Sequence, residues 1–224
     1  MLKLYGFAAS NYFNMVKLAL LEKGVPFETV PFHGCQNPDI LAVSPRGKIP
    51  VLETEQGFLS ETDAILDYLE ETQGGIALLP EDPFARAGVR ALAKEIELYI
   101  ELPARVCYVE VFFGGRPTPE ALKAKSERDL IKGFTALKHR AKFAPYVAGE
   151  QFTLADVYFL YSVDLAVDVG KRLFGIDFLA DIPGAEALRE RLAENPNVKK
   201  VAADRLAEAP AFLERVRPVG RATA

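Results

Sequence analysis

Tryptophan is absent from this 224-residue chain, and cysteine and histidine occur only twice each. Cys35 and Cys107 cannot form the disulfide framework of a small secreted scaffold, which points to a reducing, cytoplasmic setting. His33 and His139 stand far apart and form no metal-ligand cluster, so no metal is expected. Long apolar runs are missing as well. The uncharged stretch 4–16 is broken by Gly6, Ser10, Asn11 and Asn14, well short of the ~18 residues that span a bilayer, and it makes a poor signal peptide. There is also no excess of positive charge. Lys plus Arg number 27 against 31 Asp plus Glu, a net charge of −4, so no electrostatic footprint for nucleic acid is present. What remains is a chain that is 50% hydrophobic and 26% charged. That composition suits a globular protein with a sizeable core.

The pattern changes character along the chain. Residues 2–7 and 25–32 read as strands, and 12–23 between them reads as a helix, with Tyr12, Val16, Ala19 and Leu20 on one face and Gly24 as its stop. A short helix is expected over 37–43. Residues 51–54 and 57–59 form a predicted hairpin. Ser60 followed by Asp63 has the spacing of a capping box opening the next helix. The order β-α-β-α-β-β-α fits a small α/β domain with a mixed sheet. Residues 73–83, rich in Gly and Pro, read as a linker. Beyond them only helical periodicity appears: 85–99, with Pro103 expected to kink or break the helix, then 119–143, 153–169, 184–193 and 197–207. The tail 217–224 is expected to fray.

Three local features carry chemistry as well as packing. Ile49-Pro50 lies at a strand start, where a cis bond would turn the main chain of Ile49 outward to pair with an extended peptide; an ordinary trans proline is the alternative. Glu61-Thr62 begins a helix whose free N–H groups suit a carboxylate, with Glu61 able to take an ammonium. The same residues could instead cap their own helix. Thr153-Leu154-Ala155-Asp156 reads as a capping box that starts a core helix with a buried, hydrogen-bonded carboxylate.

Together these features resemble a cytosolic glutathione S-transferase. The resemblance runs over nearly the whole chain: the first strand, Glu22-Lys23-Gly24 ending the first helix, Ser44-Pro45-Arg46-Gly47-Lys48-Ile49-Pro50-Val51-Leu52, Glu61-Thr62-Asp63-Ala64-Ile65, and the box at Thr153. It implies a thioredoxin-like N-terminal domain over 1–76, a linker over 77–83, an all-helical domain over 84–224, and a homodimer. It further implies that Pro50 is cis, that Glu61 and Thr62 hold the γ-glutamyl group of glutathione, that Ile49 pairs with its cysteinyl main chain, and that Lys48 reaches the tripeptide. Glutathione would be a co-substrate, with a small hydrophobic electrophile as its partner.

The family activates the glutathione thiol with a hydroxyl or a cysteine near the start of the first helix. Ser10 matches the serine position and is ranked first, then Tyr5 at the strand end, then Tyr12 or Asn11. The segment Asn11-Tyr12-Phe13-Asn14 departs from common versions of the motif, and helix capping is the competing role for Ser10. No cysteine stands near that position, which disfavours mixed-disulfide chemistry. Nor is the serine-plus-cysteine signature of the maleylacetoacetate isomerase branch matched, because Tyr12 occupies its cysteine position. Cys35 lies in a loop close to the expected site, and Cys107 reads as core. The electrophile pocket draws on Phe7, Tyr12, Cys107, Tyr108, Val111 and Phe112. The expected activity is glutathione conjugation. The alternative is a non-catalytic relative with this fold, of the stringent-starvation type.

Overall fold

A computed structural model describes residues 1–216; the tail 217–224, expected to fray, lies outside them. A four-stranded sheet holds β1 (Leu2–Gly6), β2 (Phe27–Pro31), β3 (Val51–Thr54) and β4 (Gly57–Ser60) in the order β2-β1-β3-β4. β1 runs parallel to β2, with Leu2 opposite Phe27, and antiparallel to β3, with Tyr5 opposite Val51. β3 and β4 form the hairpin read from the sequence. Three helices complete this half: α1 (Asn11–Glu22), α2 (Pro38–Val43) and α3 (Thr62–Thr72). This is a thioredoxin-like domain, and among the described residues every later named element is helical.

α1 is withdrawn from water on almost every side. Phe13, Met15, Val16, Leu18, Ala19 and Leu20 are all buried, because one face meets the sheet and α3 while the other meets the helical domain. A helix apolar all round belongs inside a protein. Two polar residues on it find partners: Asn14 Nδ2 donates to Ala8 O at 2.8 Å, while its buried Oδ1 has none among the described residues, and Lys17 Nζ lies 2.7 Å from Asp204 Oδ2.

The helical half begins with α4 (Pro83–Ile96), which passes through a π-helical turn, Glu97–Glu101, into α5 (Leu102–Arg105). Pro103, expected to kink or break this helix, does not break it but follows a local distortion. The widened turn immediately before it accommodates the ring and the missing donor. α6 (Tyr108–Phe112) was not foreseen. α7 (Glu120–Arg140) follows, then α8 (Leu154–Tyr158), a second π-helical turn Phe159–Val163, α9 (Asp164–Val169), and a third such turn Gly170–Phe174. α10 (Ala185–Glu194) and α11 (Pro196–Val216) close the chain. α11 runs well past the expected end at Ala207, continuing through Pro210.

The box at the start of α8 forms. Asp156 accepts from the N–H of Thr153 at 2.8 Å and from the N–H of Val147, also at 2.8 Å. Burial pushes its carboxyl up to about 6, against the opposing pull of those hydrogen bonds.

Candidate active site

Between the two halves lies a cavity of about 870 Å³. Its wall on the thioredoxin-like side is built by three loops. After β1, Ser10 caps α1: its Oγ accepts from the N–H of Phe13 at 3.3 Å, which leaves the hydroxyl hydrogen free. After α2, Ser44 closes the turn that carries Lys48, donating to Lys48 O at 2.8 Å and accepting from Lys48 N at 2.9 Å. This turn touches loop 33–36 backbone to backbone. Gly47 sits at φ +61, and a Cβ there would lie 2.0 Å from Cys35 O, so no other residue fits. Beyond the turn, Ile49-Pro50 is cis, and Ile49 N–H and C=O have no hydrogen-bond partner among the described residues.

The third loop corrects the expected capping box. Ser60 is the last residue of β4 rather than a cap; the residue at the cap position is Glu61, and its side chain makes no capping bond. Asp63 does not turn back to Ser60 either. Its carboxylate is engaged by Lys94 and by the hydroxyl of Tyr158, both from the helical half. The first-turn N–H groups of α3 are thus left uncapped at the cavity wall. Glu61 itself is held at φ 71, a conformation L residues rarely adopt.

Ser10, Asn11, Tyr12, Lys48, Ile49, Pro50, Glu61, Thr62 and Tyr108 all line this one cavity. Tyr5 does not. Its hydroxyl donates to Glu53 on the neighbouring strand, and that bond, with burial, pushes the phenol up from its ordinary value. Alternation along β1 turns its ring toward Phe32 and Phe58. Tyr12 and Tyr108 reach the cavity with their hydroxyls already committed. Tyr12 donates to Glu97 Oε1 at 3.1 Å and Tyr108 to Glu101 Oε2 at 2.9 Å. Burial foremost, then nearby carboxylates, raises both phenols far above their ordinary range.

The opposite wall is aromatic. Phe112, Phe113 and Phe212 line it, and Phe7, from the loop that carries Ser10, stacks on Phe212 at 5.4 Å between ring centroids. Of the expected electrophile-side residues, Phe7, Tyr12, Tyr108 and Phe112 are present. Cys107 and Val111 are not; Cys107 is wholly buried in the core. The sequence reading missed α11 as the roof. Arg205, Ala209, Phe212 and Leu213 face the cavity, and Glu208 Oε2 accepts from the N–H of Ala8 at 2.8 Å, tying roof to floor. It also missed Arg105, whose Nη2 donates to Asn11 Oδ1 at 2.7 Å. Among the described residues no group of acidic, histidine or cysteine side chains could hold a metal.

A thioredoxin-like domain followed by helices places an uncapped helix start, suited to an anion, at the edge of an apolar cleft. The glutathione S-transferase N-terminal domain model matches residues 4–77 and the C-terminal domain model matches residues 105–205, and the chain belongs to that family. A glutathione S-transferase of Pseudomonas putida F1 is 63% identical over 217 residues, 97% of this chain and 98% of the relative. A maleylacetoacetate isomerase of Pseudomonas aeruginosa PAO1 is 34% identical over 192 residues, covering 80% of this chain and 91% of the relative. Among solved structures, a maleylacetoacetate isomerase from Methylobacterium extorquens AM1, with bound malonate and GSH, is 31% identical with a TM-score of 0.69, over 89% of this chain and 95% of that one.

Proposed function

We propose that the protein conjugates glutathione to small hydrophobic electrophiles, with the Ser10 hydroxyl stabilising the thiolate. The observation that carries this reading is the convergence on one cavity of Ser10, the unpaired main chain of Ile49 and the uncapped start of α3 beside Glu61 and Thr62. The α-carboxylate of the γ-glutamyl group rests on the α3 N–H groups and the Thr62 hydroxyl. Glu61 takes its ammonium, the cysteinyl main chain pairs with Ile49, and Lys48 reaches the tripeptide. The thiol then falls near the start of α1. The glutathione-binding unit is assigned to residues 1–76 and the helical unit to 84–224, joined by 77–83.

Magnitudes support a hydroxyl as sufficient. A free thiol has a pKa of ~8.5, and lowering it by about two units needs roughly 2.7 kcal/mol of preference for the anion. One hydrogen bond to a charged acceptor contributes ~1.5–3 kcal/mol and a helix N-terminus ~0.3–1 more. Ser10 stands where both act. A homodimer in the cytoplasm completes the proposal. In support, Tyr99 and Val106, near the end of the run of helix that α4 opens, are large apolar side chains left exposed outside the cavity.

A second reading, glutathione-dependent isomerisation, is favoured by the isomerase relatives at 31–34% identity. It uses the same thiolate. The non-catalytic reading has no such support, since the relatives named above are all enzymes. The test is ultraviolet difference spectroscopy of bound glutathione against pH, in wild type and Ser10→Ala. The wild-type complex should show thiolate absorbance well below the ordinary thiol range, and the variant should not. A bound thiol that titrates as in free solution would overturn the mechanism.

A further inference from the structure

Arg105 has donors to spare. A guanidinium carries five N–H groups in a planar fork. Nε of Arg105 donates to Glu101 Oε1 at 3.0 Å, and Nη2 donates to that oxygen at 2.6 Å and to Asn11 Oδ1 at 2.7 Å. Nη1 makes no hydrogen bond among the described residues, on a side chain that is 40% exposed and lines the cavity.

The group is also held still. Glu101 is wholly buried, and its other oxygen accepts from Tyr108. The rings of Tyr12 and Tyr108 lie 4.9 and 5.2 Å from the guanidinium carbon. Other cations on the wall differ. Lys94 is consumed by Asp63 and Glu97, and Arg205 reaches in from the roof with no side chain among the described residues holding it. A fixed cation with unpaired donors, facing an apolar cleft, is what stabilises charge that develops on an oxygen during reaction.

We infer that Nη1 of Arg105 receives the carbonyl oxygen of a conjugated enone or enal, and that such acceptors are the preferred electrophiles. This rests on the transferase reading and names its second substrate. The glutathione sulfur attacks the β-carbon and a C–S bond forms from a sulfur lone pair. The C=C π pair moves between the α-carbon and the carbonyl carbon, and the C=O π pair moves onto oxygen. Arg105 holds the resulting enolate oxygen. The proton that the thiol gave to solvent is regained from solvent at the α-carbon, so that S–H has added across the double bond. Displacement of a halide makes no such demand, because there the charge departs with the leaving group.

Arg105→Lys keeps a cation against Glu101 while removing the fork. The measurement is kcat/KM for trans-4-phenyl-3-buten-2-one and for 4-nitrobenzyl chloride. Removing an oxyanion donor typically costs about 10²–10³ in rate, and in this partly open site the enone-to-halide ratio should fall at least about tenfold. An unchanged ratio overturns the inference, as does a wild-type enzyme that turns over the halide alone. A wild-type enzyme that binds glutathione but reacts with neither acceptor overturns this inference and the transferase reading together. Wild-type protein alone supplies a second check. S-(2-carboxyethyl)glutathione should bind at least about tenfold tighter than its carboxamide, and equal affinities refute the oxygen site.

Discussion

The N–H of Phe13 donates to Ser10 Oγ at 3.3 Å. The two roles read for this serine from the sequence, cap and thiolate donor, therefore do not compete. The cap uses a lone pair and the thiolate would use the O–H. Ser10→Ala should thus lower stability by about 1 kcal/mol and return the bound thiol toward its ordinary pKa of ~8.5. Denaturant unfolding and thiolate absorbance read the two effects separately. If neither moves, Ser10 holds neither role.

Glu61 is held at φ 71, a conformation that costs roughly 1–3 kcal/mol in a residue with a Cβ. Glu61→Gly should leave stability unchanged or raised while glutathione affinity falls at least about tenfold, about 1.4 kcal/mol. Glu61→Ala should lose affinity similarly and keep the backbone cost. Isothermal titration with glutathione, beside thermal unfolding of each variant, separates the terms. Undiminished affinity in both would remove Glu61 from the site.

Lys23 Nζ lies 2.8 Å from Glu70 Oε1, with side chains 2% and 10% exposed. Removing one partner strands a charge, so Lys23→Met should cost about 3–5 kcal/mol. Adding Glu70→Gln should recover much of it. The exposed pair Arg90–Asp67 is the control: Arg90→Met should cost under about 1 kcal/mol. Similar losses for Lys23 and Arg90 would contradict the burial argument.

Asp156 titrates at about 6 in the folded protein against an ordinary 3.8. Its folded pKa is raised, so between those values the native state binds more protons than the unfolded state. The stability tied to this group is fully present below pH 3.8 and is lost as pH rises through about 6. Relative to Asp156→Asn, the wild type should lose on the order of 3 kcal/mol across that window and level off above it. Urea unfolding at a series of pH values measures the difference. A flat difference would contradict the raised value.

Much of the fold was legible because it is local. The hairpin at Gly57, the stop at Gly24 and the box at Thr153 are each set by residues a few positions apart. That Ser10, Ile49-Pro50 and Glu61-Thr62 belong together was legible because they are short motifs, and they do line one cavity. What escaped depends on distance or backbone. Ser60 has the spacing of a cap, but the turn at Glu61 takes a conformation its side chain does not announce. Pro103 carries a helix-breaking signal that a π-helical turn absorbs. Arg105 meets Asn11 across 94 positions of sequence, and nothing in the local pattern near either residue names the other. Tyr5 stands at a strand end that the resemblance singled out, yet its partner Glu53 comes from the adjacent strand.

The roof of the cavity also sets an order of events while the chain is being made. The wall proposed to hold glutathione is complete once α3 has been added, at Thr72, whereas Phe212 and Glu208 come late. Domains fold as units as they leave the ribosome, N-terminal first. The thioredoxin-like half therefore emerges with the outer face of α1 bare, and it stays so until the helices that cover it arrive. On the proposed function, a nascent chain thus presents its tripeptide wall well before the apolar side of the cavity exists. Ribosome-bound fragments of increasing length would show tripeptide binding and apolar-ligand binding appearing at two separate chain lengths.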